Sequence, residues 1–181
     1  MDGDGELSGQ LVVLRGDSGA GKSSVAREVQ RGFAKGRCAV VGQDVIRRTI
    51  LRERDEPDAF NVTLIETIAT ACLDHCAVVV VEGILDADRY GRMLERLQHR
   101  AFRSHFYAWD LAFEETARRH HTRPQAAEFT VADMRSWYRG WQPLPFVDEL
   151  RMGADWSLHA TARRIRSDLL CKPRPEALER N

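Results

Sequence analysis

Residues 16–23 read Gly-Asp-Ser-Gly-Ala-Gly-Lys-Ser, a complete G-x-x-x-x-G-K-S run. Each residue type in it suits the cradling of a polyphosphate. Gly16, Gly19 and Gly21 let the backbone wrap closely around phosphate oxygens, where a Cβ would clash. The backbone N–H groups from Gly16 through Asp17, Ser18, Ala20, Lys22, Ser23 and Ser24 then point inward, and the following helix adds its partial positive charge. Lys22 has the length to reach the β- and γ-phosphates, and the Ser23 hydroxyl can ligate Mg²⁺. The alternative is a chance glycine-rich turn. Against it stand the apolar run Leu11-Val12-Val13-Leu14, read as a buried strand, and Ser24-Val25-Ala26-Arg27-Glu28-Val29, read as a helix opening.

Three further groups of residues could act on what such a loop holds. Asp44 directly follows a second apolar run, in Gly42-Gln43-Asp44-Val45-Ile46-Arg47. Ligands of open α/β sheets sit at the carboxyl ends of strands, so Asp44 should face the loop and could take a proton from an attacking hydroxyl. Equally, Asp44 could serve as N-cap of the helix read over 45–53. Arg47 lies one helical turn on, placed to orient Asp44 or hold a substrate anion. Glu82-Gly83 ends the run Val78-Val79-Val80-Val81. There an acidic residue can hold Mg²⁺, and the glycine admits a close neighbour to the backbone. Arg119 and Arg123, in Arg118-Arg119-His120-His121-Thr122-Arg123, are four apart. Their guanidinium groups suit phosphate oxygens or, as a simpler use, the C-terminus of a helix. His120 and His121 have no metal partners at useful spacing and read as surface or lid residues.

The elements that must position these residues alternate. Strands are expected at 10–15, 38–42, 77–82, 103–109 and 149–152. Helices are expected at 22–34, 45–53, 58–75, 88–99, 112–121, 130–138 and 157–170. This βα alternation, with a continuous β-branched strand, predicts an α/β fold with a five-stranded parallel sheet sandwiched by helices. The 181 residues fit one domain. Pro124, Pro143 and Pro145 flank a short helix, making 118–146 the expected lid. Trp137, Tyr138 and Trp141 follow it, either as packing or as a wall for a flat acceptor.

Composition narrows the partners. The 27 basic residues balance 27 acidic ones, for a formal net charge of +0, which gives no global pull toward nucleic acid or anionic membranes. The dense run Arg47, Arg48, Arg52 and Arg54 is followed by Asp55, Glu56 and Asp58 and reads as a mixed solvated face. Cys38, Cys72, Cys76 and Cys171 form no C-x-x-C pair, and Cys72 and Cys76, four apart on a helix, read as packing residues. The acidic, glycine-rich start resembles no leader, and no apolar run reaches membrane-span length. A soluble, cytoplasmic setting is expected.

On the loop 16–23, Asp44-x-x-Arg47, the paired Arg119 and Arg123, and the segment Val131–Tyr138, the chain resembles the P-loop kinase superfamily. The likeness extends over 10–141. It is nearest to the kinase domain of polynucleotide kinases and to small-molecule relatives: chloramphenicol phosphotransferase, zeta toxins, and shikimate and gluconate kinases. The resemblance implies a P-loop NTPase fold with a helical lid, in a single kinase-like domain over 1–181. It implies ATP on Gly16–Ser23 with Mg²⁺ held by Ser23 and Glu82. Asp44 would be the general base, Arg47 would serve the acceptor, and Arg123 would contact donor phosphates with Arg119 in support. The expected acceptor is a hydroxyl of a metabolite, nucleoside-like compound or antibiotic. A 5′-hydroxyl polynucleotide end, or a nucleotide-gated switch with no acceptor, are the alternatives. Adenine or guanine preference and oligomeric state are not legible.

Overall fold

The computed structural model describes residues 9–120 and 130–171. Five strands, β1 (Gln10–Gly16), β2 (Cys38–Gly42), β3 (Val78–Gly83), β4 (Arg103–Trp109) and β5 (Leu150–Met152), form one sheet. Their order is β2-β3-β1-β4-β5, and every pairing is parallel. Six α-helices accompany them among the described residues: α1 (Lys22–Gln30), α2 (Phe60–Leu73), α3 (Ala87–Arg100), α4 (Phe113–His120), α5 (Val131–Trp137) and α6 (Leu158–Leu170).

The apolar runs are continuous because both faces of the sheet are covered. Val12 and Leu14 of β1 face one way, with Val78, Val80, Tyr107 and Trp109, under α1 and α6. Leu11 and Val13 face the other way, with Val79, Val81 and Phe106, under α2 and α3. All of the β1 side chains from Leu11 to Leu14 are fully buried. Cys38 is buried too, its thiol pushed up to about 12 chiefly by that burial. Cys72 and Cys76 pack against the second core cluster, the packing role expected of them.

The elements follow the expected order, with shifts at their ends: α1 stops at Gln30 and α2 covers only Phe60–Leu73. Segment 45–53 departs in kind. Val45–Leu51 is a π-helix, wider than an α-helix, and it ends at Arg52, whose φ of 53° is left-handed. The wider turn accompanies two ion pairs from Asp44 Oδ1, to Arg47 at 3.2 Å and to Arg48 at 3.3 Å. Glu53 N–H closes the segment on the Arg47 carbonyl at 2.9 Å. Of the expected lid over 118–146, residues 121–129, with Arg123 and His121, lie outside the described residues. The described remainder is α5, begun by a Thr130–Asp133 capping box, and an irregular stretch over 138–149 with a turn at 145–147.

That stretch is fastened by buried carboxylates. Arg15 Nη1 donates to Glu149 Oε2 at 2.9 Å, with side-chain exposures of 5% and 1%. The same oxygen accepts the Leu144 N–H at 3.1 Å. Burial pushes the Glu149 carboxyl up, and Arg15 opposes it. Removing one member of such a pair strands a buried charge. Arg15→Ala should therefore lower stability by about 3 kcal/mol, read as a shifted urea midpoint with an unchanged slope. Arg15→Met combined with Glu149→Leu should recover most of that loss, although Leu144 N–H then lacks its acceptor.

Candidate active site cleft

The carboxyl ends of β1, β2 and β3 meet in register, Leu14 beside Glu82 and Gly42 beside Glu82. They open on a cleft of about 1310 Å³, larger than the roughly 300–1,000 Å³ typical of one small-molecule site. Ser18, Gly19, Gly21, Lys22, Ser23 and Ser24 line its floor. Gly16, Gly19 and Gly21 all have positive φ, at 139°, 91° and 101°. A Cβ on Gly16 would lie 2.8 Å from the Trp109 carbonyl oxygen, so glycine there lets β1 turn tightly beside β4.

Lys22 is 7% exposed. Its Nζ donates to the Gly16 and Asp17 carbonyl oxygens at 2.7 and 2.9 Å, so the ammonium is already directed into the loop. Ser23 Oγ donates to Glu82 Oε2 at 3.0 Å. Glu82 is buried, and burial raises its carboxyl above the usual 4.5, partly offset by Lys22 and by the Ser23 hydrogen bond. The Asp44 charge raises it further, so the two carboxylates face the same space. Gly42 leaves room for this arrangement, since a Cβ there would lie 3.0 Å from Glu82 Oε1.

Asp44 is 67% exposed at its side chain and lines the cleft. It is not an N-cap: it has right-handed helical geometry, and its side chain accepts no backbone N–H. It is paired with Arg47 and Arg48 instead. Arg47, Arg48 and Arg54 also line the cleft, so this run is a wall of the site and not simply a solvated face.

Other expectations change. The Asp17 carboxylate turns away from the cleft and accepts the Arg139 and Gly140 N–H groups at 2.9 and 3.0 Å. Burial raises its carboxyl. Ala20 is 2% exposed, and neither it nor Gly16 lines the cleft. Arg119 donates to Glu115 Oε1 at 2.5 Å, to the Ala20 carbonyl at 3.4 Å and to the Ala154 carbonyl at 3.0 Å, which puts it on the outer side of the loop. His120, expected at the surface or in the lid, is 3% exposed and lines the cleft. The aromatic cluster divides. Trp137 lines the cleft, with the Arg48 guanidinium 5.6 Å from its ring centre. Tyr138 packs edge-on to Phe113 and donates to the Leu111 carbonyl at 2.9 Å. Trp141 lies under Arg151.

Sequence reasoning missed Gln43. It is 2% exposed, and its Oε1 accepts the Ile84 and Leu85 N–H groups at 2.8 and 3.4 Å. Its Nε2 donates to Tyr90 Oη at 2.7 Å, and Tyr90 in turn meets Asn61 Oδ1 at 2.7 Å and Asp55 Oδ1 at 2.9 Å. The neighbour that Gly83 admits is this side chain, because a Cβ on Gly83 would lie 2.4 Å from Gln43 Oε1. The only signal was an amide at a strand end beside Asp44. Arg89 and Arg139, also in the cleft wall, lay outside every motif.

A family profile described as AAA domain matches residues 11–141. No curated protein matches the chain. The fold is similar to the Mycobacterium tuberculosis APS kinase CysC in complex with AMPPNP and APS, at 25% identity and a TM-score of 0.64, covering 90% of this chain and 98% of that one. It is similar to a gluconokinase from Sinorhizobium meliloti 1021 at 18% identity and a TM-score of 0.59, covering 88% and 91%. A Deinococcus radiodurans tunicamycin resistance protein matches at 17% identity and a TM-score of 0.59, covering 88% and 95%. With its phosphate loop, parallel sheet and matched span, the chain belongs to the AAA domain family and, within the α/β folds, to the P-loop kinase superfamily.

Proposed function

We propose that this chain transfers the γ-phosphoryl group of ATP to a hydroxyl of a small molecule. The observation that carries the reading is convergence. Lys22, Ser23, Glu82 and Asp44 line a single cleft with volume for two ligands side by side. Likeness to an APS kinase solved with AMPPNP and APS supports it.

In this reading the loop N–H groups and Lys22 hold the β- and γ-phosphates and receive the charge that develops on them. Asp44 accepts the hydroxyl proton as that oxygen bonds to the γ-phosphorus and the bond to the ADP oxygen breaks. Its pairing with Arg47 and Arg48 fixes the position of the carboxylate. Arg119, bonded to the Ala20 carbonyl, holds the outer side of the loop, and Arg123 is proposed for the donor phosphates. Ser23 Oγ and Glu82 Oε2, 3.0 Å apart, are hard oxygen donors fit for Mg²⁺. One or two protein ligands suffice for that ion when phosphates supply the rest. The desolvated Glu82 carboxylate gains from a cation beside it. Bound there, Mg²⁺ would neutralise charge on the transferred phosphoryl group.

Lys22→Ala should lower turnover by at least about 10³-fold and weaken ATP binding by calorimetry. Asp44→Asn should lower turnover by about 10²- to 10⁴-fold with ATP affinity unchanged; near-normal turnover would refute the base assignment. Metal binding needs ionised Glu82, whose carboxyl lies above the 4.5 of an ordinary glutamate. Mg²⁺ affinity should therefore begin to fall at a higher pH than an ordinary carboxylate would dictate as the solution is acidified. In Glu82→Gln, a Mg²⁺ titration should show weaker binding with no such acid limb.

A further inference from the structure

Resting on the phosphotransferase reading above, we infer that the acceptor alcohol carries an anionic group: a phosphate, sulfate or carboxylate. Beyond the phosphate loop, the cleft wall presents six arginines, Arg27, Arg47, Arg48, Arg54, Arg89 and Arg139, against four carboxylates, Asp44, Asp55, Glu82 and Asp133. This excess stands in a chain whose net charge is +0. None of the described lining residues is Asn or Gln, and the groups there that both donate and accept are serine and threonine hydroxyls and His120. Guanidinium groups only donate, and they match oxyanions in pairs.

Two of these arginines, one on the π-helix and one on α3, are held in place by neighbouring carboxylates. The Arg47 side chain is 16% exposed and is fixed by Asp44 at 3.2 Å. Its buried Nε has no hydrogen-bond partner among the described residues, a costly state, while the rest of the guanidinium reaches the cleft. Arg89, on the first turn of α3, donates to the Asp55 carbonyl at 2.5 Å and to Asp55 Oδ1 at 3.1 Å. Its guanidinium is thus oriented before any ligand arrives. Arg54, its side chain 90% exposed, makes a 3.9 Å ion pair to Glu56 at the mouth. Val45 and Ile50 of the π-helix are 56% and 57% exposed and line the cleft with Trp137. The acceptor therefore has an apolar face, a hydroxyl beside Asp44 and an anionic group directed to Arg47 and Arg89.

The test offers γ-labelled ATP and Mg²⁺ with a broad panel of alcohols, each neutral member paired with its carboxylated, sulfated or phosphorylated counterpart. Label should move onto an anionic member at least about tenfold faster in kcat/KM than onto its neutral partner, the loss of about one charge-assisted contact. Arg89→Gln should raise KM for that acceptor by about tenfold while leaving KM for ATP unchanged. Arg54→Gln, at an exposed position that folding tolerates, should raise the same KM by a few-fold and report even if the Arg89 variant fails to fold. Equal transfer to neutral members, insensitive to both variants, overturns the inference and leaves the kinase reading standing. 5′-Hydroxyl oligonucleotides are tested beside the panel, and transfer confined to them overturns the small-molecule acceptor in favour of a strand-binding groove. Phosphate released only to water with every alcohol overturns the kinase reading and this inference together.

Discussion

Gln43 clamps the ends of β2 and β3 to each other, and the geometry of the cleft depends on that clamp. Its carbonyl oxygen takes the Ile84 and Leu85 N–H groups, which the end of a parallel strand would otherwise leave unpaired. Its amide nitrogen donates to Tyr90 Oη. Losing one partner of a buried group costs about 1–3 kcal/mol, enough to let the two strand ends drift. Asp44 is the next residue in the chain after the clamp, and Glu82 sits one residue before the glycine that admits it. Leu85 holds a left-handed φ of 47° while fully buried, a strained conformation that persists only where its surroundings over-determine it. The clamp supplies that determination.

A second constraint ties the phosphate loop to the stretch after α5. Asp17 lies inside the loop, yet its carboxylate receives the Arg139 and Gly140 N–H groups. Arg15 enters the loop from β1 and is paired with Glu149. Both contacts are long-range and at least partly buried, so the segment carrying Arg139 is anchored to the same residues that shape the loop. Lys22 meanwhile bonds to the Gly16 and Asp17 carbonyl oxygens of that loop. The loop is thereby organised from within and from outside, which limits the entropy it must lose on closing around phosphate.

Much of this was legible from residue order. Fully covered parallel strands read as unbroken apolar runs, so Leu11–Leu14 and Val78–Val81 marked β1 and β3 directly. The phosphate loop was legible because its chemistry restricts residue type at five of its positions. The rest depends on long-range side-chain placement that no spacing encodes. Asp17 fits the motif, but its partners are over a hundred residues away. Gln43 looked like a spacer before Asp44. His120 sat in a polar run that suggested the surface or the lid, although the helix buries it. The π-helix carries apolar and arginine residues that fit an α-helix equally well, and the double pairing of Asp44 marks the wider turn only once coordinates are in hand.

The central claim is that the cleft moves phosphate from ATP to a bound alcohol. It is tested most directly by incubating the chain with Mg²⁺, γ-labelled ATP and a mixed library of nucleosides, sugars, aminoglycosides and organic hydroxy acids, then separating organic phosphate esters from inorganic phosphate. The account predicts label in a single ester with ADP formed in equal amount, and no ester when Asp44 is replaced by Asn. Slow release of inorganic phosphate that no library member accelerates would contradict it and would leave a nucleotide-gated switch.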